Sequence, residues 1–265
     1  MVPTDLKVLV HAYCRSSYQL VRYLLDRGLQ DELEIVPLNP ESLVFLRRVV
    51  PSVPALAIGK SIVAVDPLEP EFVESLLLGR DLRAYVPVDE GEIVERFVKS
   101  AKSSSYVMLH ALLGGLNLED VVDTEFARAA VRTYFTGLSD EYVRRALLAR
   151  SSEVGEELSK SSVRSAAHSF LRDTWVAFGS VRREFVSYEV LKLWLTAKIS
   201  QGVAYLPTQS LEVSEKIGRV LRYLEENYDA IAKSVEAYAS LLSSDREVRR
   251  VLTQGSKPAS TSRLK

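Results

Sequence analysis

The sequence predicts an α/β domain of order βαβαββα followed by an all-α helical bundle. Three observations carry that reading. Short β-rich apolar runs alternate with amphipathic segments through the first 80 residues. Beyond residue 89 the β-type runs nearly vanish, while apolar residues keep recurring every three or four positions. Glycine and proline stand where turns and helix ends should fall. The chain divides accordingly into an α/β domain over 1–80, a linker over 81–89, a helical domain over 90–252 and a disordered tail over 253–265.

Leu6 to Tyr13 (LKVLVHAY) is an apolar run of the kind that forms a buried strand. SSYQLVRYLLDRG then places Leu20, Val21, Leu24 and Leu25 on one helical stripe, with Gly28 at the C-cap position. ELEIVPLN alternates and stops at Asn39-Pro40, which reads as a second strand and a turn. PESLVFLRRVV opens with Pro40 at a first helical position and runs on as a short helix. After PSVP, the runs ALAIG and IVAVD read as two strands joined around Gly59-Lys60, and LEPEFVESLLLG as a helix closing at Gly79. The stretch around Pro87 has little periodicity and forms the linker.

EGEIVERFVKSAKSSSYVMLHALLGG reads as one helix ending at Gly114-Gly115. Helix starts are marked at Asn117, ahead of Glu119 and Asp120, and at Ser139, ahead of Asp140 and Glu141. Pro207 separates the last two long helices, the second carrying Ile217, Val220, Leu221 and Leu224 on one stripe. The end, TQGSKPASTSRLK, offers too little apolar surface to fold back and is expected to be disordered.

Composition limits the functions available. A 47% hydrophobic fraction supports a real core, and a net charge of -1 shows no electrostatic footprint for nucleic acid. No apolar run approaches the roughly 20 residues that span a bilayer. MVPTDLKVLVHAY, with Asp5 ahead of a short apolar run, does not read as a signal peptide. A cytoplasmic protein with no membrane or nucleic-acid partner is the expectation. The single cysteine excludes an internal disulfide and a zinc site built from several thiolates, and no metal site is expected. Scarce Met and Cys beside abundant Leu, Val, Arg and Glu lean toward a thermophile's protein.

Cys14 is the centre of chemical interest. Between a strand and a helix, its thiol meets the unpaired N–H groups and the dipole of a helix N-terminus, both of which favour thiolate. Such a position can bring a cysteine pKa from about 8.5 down into the 3.5–7.5 range. Arg15 adds a neighbouring cation, and the Ser17 hydroxyl is placed to donate to the sulfur. A low pKa and an exposed sulfur are therefore expected of a reactive Cys14, the alternative being an inert cysteine at a strand end. His11 is either a base tuning the thiol or a satisfied core histidine. His110 and His168 read as structural. Tyr106 and Met108, on the first helix after the linker, are candidates to line a pocket facing Cys14.

The order βαβαββα, a cysteine at the first strand–helix junction and a Val-Pro step before the third strand together resemble the thioredoxin fold, the glutaredoxin branch most of all. LKVLVHAYCRSSYQLVRYLLDRGL is similar to that family's strand, active-site loop and first helix, with Cys14-Arg15-Ser16-Ser17 in the place of C-x-x-C or C-x-x-S. SVPALAIGKSIVAV is similar to its Val-Pro step and hairpin, so that roughly the first third of the chain is covered. The resemblance implies a cis Val53–Pro54 peptide facing Cys14. It also implies thiol- or substrate-binding roles for Tyr13, Val53, Pro54 and Asp66, with Asp66 at the end that holds the glutathione amine. VAVDPLEP lacks the family's Gly-Gly turn, and Ser17 replaces the resolving cysteine, so an intramolecular disulfide cycle is impossible. A thioredoxin-like domain followed by helices also resembles glutathione S-transferases in architecture.

Three functions follow as expectations. In the first, Cys14, assisted by Ser17 and Arg15, attacks a small or protein disulfide. Glutathione or another low-molecular-weight thiol then acts as co-substrate, and no cofactor is held permanently. In the second, Ser17 or Tyr13 activates the thiol of a co-substrate for transfer to an electrophile, with a deep pocket between domains and, by similarity, a homodimer. In the third, the chain is a redox-inactive thioredoxin-fold binding or scaffold protein.

Overall fold

The computed structural model describes residues 5–38, 52–113, 118–122, 124–200 and 211–257. Four strands, β1 (Leu6–Val10), β2 (Glu34–Pro37), β3 (Ala55–Ile58) and β4 (Ser61–Val65), form one mixed sheet in the order β2-β1-β3-β4. β1 runs parallel to β2, with Val8 opposite Ile35, and antiparallel to β3, with Val8 opposite Leu56. β3 and β4 form the expected hairpin, turned by Gly59 at φ 61°. The predicted helix over 40–50 lies outside the described residues.

Two helices from the first 80 residues pack on this sheet. α1 (Arg15–Asp26) buries Leu20, Val21 and Leu24 against Val8, Val10 and Leu56, as its stripe demands. α2 (Pro70–Leu77), opened by Pro70 at a first-turn position, buries Phe72, Val73 and Leu76 in the same core. The region between α2 and the helical half is short of regular structure apart from one 3-10 turn at Arg83–Tyr85.

Beyond it come α3 (Glu90–Ser103), α4 (Ser105–Leu113), α5 (Leu118–Val122), α6 (Glu125–Val131), α7 (Thr133–Thr136) and α8 (Asp140–Ala149). They are followed by α9 (Ser151–Phe178), α10 (Tyr188–Ser200), α11 (Leu211–Ser244) and α12 (Arg246–Gln254). Asp89 accepts from the Glu92 N–H and Ser139 from the Tyr142 N–H, so α3 and α8 start on side-chain caps. The cap predicted at Asn117 lies outside the described residues.

The helix predicted as continuous after the linker is broken at Ser104, whose hydroxyl accepts from the Val107 N–H. Three consecutive serines compete for the backbone there and restart the helix. The break turns Ser103 and Ser105 toward one side, where they help line the site described below.

The C-terminal part departs from the expected division. α12 does not belong to the helical bundle. Its Val248, Val251 and Leu252 are buried in the sheet core with Leu33 and Ile35. Thr253 and Gln254, expected in a disordered tail, complete α12, and Ser256 exchanges two backbone hydrogen bonds with Ile35, at 3.0 and 3.1 Å. Gly255 permits this approach: a Cβ there would lie 2.5 Å from the Ile35 carbonyl oxygen. The open edge of β2 is thereby covered by the end of the same chain. The tail's remaining residues, from 258 on, lie outside the described residues.

Arg132 ties the two halves together. It sits between α6 and α7 in the left-handed region, at φ 61°, with its side chain 1% exposed. The guanidinium donates to the Tyr85 and Pro67 carbonyl oxygens, each at 2.9 Å, pairs with Glu69 and lies over the Phe72 ring. It holds the connecting segment and the residues after β4 against the helical region.

Candidate functional site

Cys14 is the N-cap residue of α1, in extended geometry with φ -108° and ψ 118°. The strand ends there because the chain must turn: the Cys14 N–H donates back to the His11 carbonyl at 3.0 Å. His11 Nδ1 accepts from the Tyr13 N–H at 3.3 Å, so the imidazole serves to close this turn. The thiol donates to the Val53 carbonyl oxygen at 3.2 Å. The Val53–Pro54 peptide is cis, and so is Asp66–Pro67, which nothing in the sequence announced.

The surroundings of the thiol raise its pKa, where the sequence led us to expect a lowered one. Burial pushes Cys14 up, and the Asp66 carboxylate pushes the same way. The Ser17 hydroxyl and N–H, together with Arg172, hold it down but do not prevail. Position at a helix N-terminus is thus outweighed by desolvation. Arg15 is exposed at the cleft mouth, and the cation that acts on the thiol is Arg172, contributed by α9.

Ser17 is fully buried and its hydroxyl also accepts from the His11 N–H at 3.2 Å. Asp66 is 7% exposed. It is held behind the site by the Ser16 and Ser103 hydroxyls and the Leu68 N–H, and burial raises its own pKa. It faces the thiol as a charge rather than the open space as a ligand. Tyr106 packs on His110, with ring centroids 4.5 Å apart, and is not among the residues that surround Cys14.

Cys14 opens on a cleft of about 560 Å³ between α1, the α3–α4 break, α9 and α11. Tyr13 lines it and meets Trp175 edge-on, with centroids 5.4 Å apart. Lys102, Arg164 and Arg172 bring in positive charge alongside Arg15, His168 lies between the two α9 arginines, and no carboxylate is among the lining residues. Serines fill much of the remaining wall, Ser161, Ser165 and Ser169 all from α9. The volume suits a drug-sized ligand.

α11 closes the cleft over the turn. The Tyr238 hydroxyl reaches the carbonyls of Ala12, at 2.9 Å, and Cys14, at 3.1 Å, and burial raises its pKa strongly. Its ring meets Tyr18 edge-on, and the Tyr18 hydroxyl donates to Asp245, the N-cap of α12, at 2.9 Å. Tyr238→Phe is expected to cost about 1–3 kcal/mol, the range for stranding buried polar groups, and to quicken alkylation of Cys14. Denaturant unfolding and iodoacetamide kinetics check both; an unchanged alkylation rate would mean that the clamp does not govern access.

Sequence reasoning placed Cys14, Tyr13, Arg15 and the Val53–Pro54 step together, and the fold brings them together. It missed Arg164, Arg172, Trp175 and Tyr238, and took His168 as structural. The signal was present in RSAAHSFLR, where Arg164, His168 and Arg172 recur at intervals of one helical turn.

The fold and the cleft define a protein with a four-stranded mixed α/β unit, a mostly helical C-terminal region and one thiol at their junction. No protein-family model, no curated protein and no solved structure matches the chain. Among the described residues no helix is long and apolar enough to cross a membrane.

Proposed function

We propose that this is a single-cysteine, glutaredoxin-like protein of thioredoxin fold that exchanges thiols and disulfides at Cys14, with a small anionic thiol as co-substrate. One observation carries the reading: the chain's only thiol opens on a cleft lined by several cations and by no carboxylate. The Cys14 thiolate attacks one sulfur of a disulfide. The S–S bond breaks, a mixed disulfide forms on Cys14, and the departing thiolate takes up the proton that Cys14 gave up. An external thiol then attacks the mixed disulfide and restores Cys14, ending as half of a new disulfide. With Ser17 where a second cysteine would stand, that external thiol is obligatory.

Folded protein incubated with glutathione disulfide is expected to gain one glutathionyl group on Cys14, as read by mass spectrometry, and to lose it again to added thiol. Modification only after unfolding would sink the reading and leave a redox-inactive binding protein.

A second reading is favoured by the raised Cys14 pKa. A thiol that keeps its proton on the Val53 carbonyl oxygen does not attack, and the cleft's cations are then suited to holding the thiolate of a co-substrate in a transferase. The two readings separate on Cys14→Ser, which abolishes exchange but leaves transfer of a thiol to a chloronitrobenzene.

A further inference from the structure

Two stripes run side by side along α9 where it faces the cleft. Arg164, His168 and Arg172 form one, and Ser161, Ser165 and Ser169 the other, each repeating every fourth residue. Arg164 and Arg172 are two turns apart, roughly 12 Å at ~1.5 Å per residue.

The charge on this wall is only partly compensated. Lys102 pairs with Glu157, and Arg172 lies 3.4 Å from Asp173, which Lys198 already holds at 2.6 Å. Among the described residues neither Arg164 nor Arg15 has an ion-pair partner, and the hydroxyls of Ser161, Ser165 and Ser169 make no hydrogen bond. His168, between the two arginines, is pushed below the usual imidazole range by burial and by both of them, as an unneutralised field requires.

The donor geometry selects among anions. Each arginine presents a planar fork, and serines on adjoining turns add donors from other directions. A planar carboxylate is satisfied by the fork alone, whereas a tetrahedral oxyanion has a third oxygen for a hydroxyl. We infer that the cleft binds an extended small molecule bearing two phosphate-type oxyanions, one at Arg172 beside Cys14 and the other about 12 Å away at Arg164. This inference rests on the cleft being the substrate site of the proposed function, and it names the co-substrate class as a phosphorylated thiol or disulfide.

The test uses the full chain and two probes at equal ionic strength, fructose 1,6-bisphosphate and adipate, followed by calorimetry and by the fluorescence of Trp175. The bisphosphate is expected to bind at least tenfold more tightly than adipate. Arg164→Ala should weaken it at least tenfold, while Arg249→Ala, on the exposed face of α12, leaves it unchanged. Arg164 is itself exposed on a long helix, and Arg164→Gln repeats the measurement should the alanine variant fold poorly. Equal affinity for adipate, or wild-type affinity in both Arg164 variants, overturns the inference. Cys14→Ser separates the two proposals. Bisphosphate binding that survives in this variant supports the oxyanion site whatever becomes of the exchange activity. Exchange in the native chain without bisphosphate binding overturns the oxyanion site alone.

Discussion

Arg132→Ala is expected to lower the midpoint of thermal unfolding by about 10 °C. The guanidinium is buried, paired with Glu69, bonded to two backbone carbonyls and packed on Phe72. Truncation strands the Pro67 and Tyr85 carbonyls, leaves Glu69 to the more distant Arg96, at 3.5 Å, and opens a void above the Phe72 ring. Removing one member of a buried pair typically costs about 3–5 kcal/mol, and each kcal/mol moves the midpoint by roughly 2–4 °C for a domain of 150–250 residues. Glu69 is partly exposed and can be rehydrated, which keeps the cost toward the lower end. Arg132→Lys retains the charge but offers a compact ammonium in place of a fork, and it should lose most of the same stability. Calorimetry on the two variants decides the matter. If both melt as the native chain does, Arg132 is not the tie between the halves.

The rate of Cys14 alkylation in the folded protein should climb about tenfold per pH unit through neutrality and go on climbing past ~8.5, where an ordinary thiol levels off. Burial and the Asp66 charge raise the folded pKa, so the folded thiol holds its proton where an unfolded one has lost it. Cys14 therefore contributes stability that is fully present below the unfolded thiol value and is lost as pH rises through the folded value. The melting temperature should fall with pH above ~8.5, and Cys14→Ala should remove that component. A plateau in the alkylation rate below ~8.5 would mean that the helix N-terminus, Ser17 and Arg172 prevail over desolvation. An anionic ligand beside Arg172 would neutralise the cation that now favours the thiolate, so alkylation should slow further when fructose 1,6-bisphosphate is bound.

The secondary structure was largely legible because its causes are local. The apolar run of β1, the Leu20–Val21–Leu24 stripe of α1, the Gly59 turn and the Ser139 cap each depend on residues a few positions apart. The Ser104 break was open to reading too, in the run of serines, but the apolar periodicity on either side of it argued for one helix. The junction that carries Cys14 was visible for the same local reason: a strand pattern stops and a helix pattern starts.

What the tertiary structure alone decided is the state of that cysteine and the company it keeps. Arg172 lies 158 positions away along the chain, and Tyr238 bonds to the Cys14 carbonyl across 224. The return of α12 onto β2, the burial of Arg132 and the closing of Asp66 behind Ser16 and Ser103 likewise join distant segments. Periodicity tells which face of a helix is apolar, but not which other segment will cover it. A thiol's pKa depends on how much water is displaced and on which charges arrive once every segment is in place. The sequence by itself settled where the thiol sits in the chain; packing settled that it is half-buried, that its pKa is pushed up and that it opens on a cationic cleft.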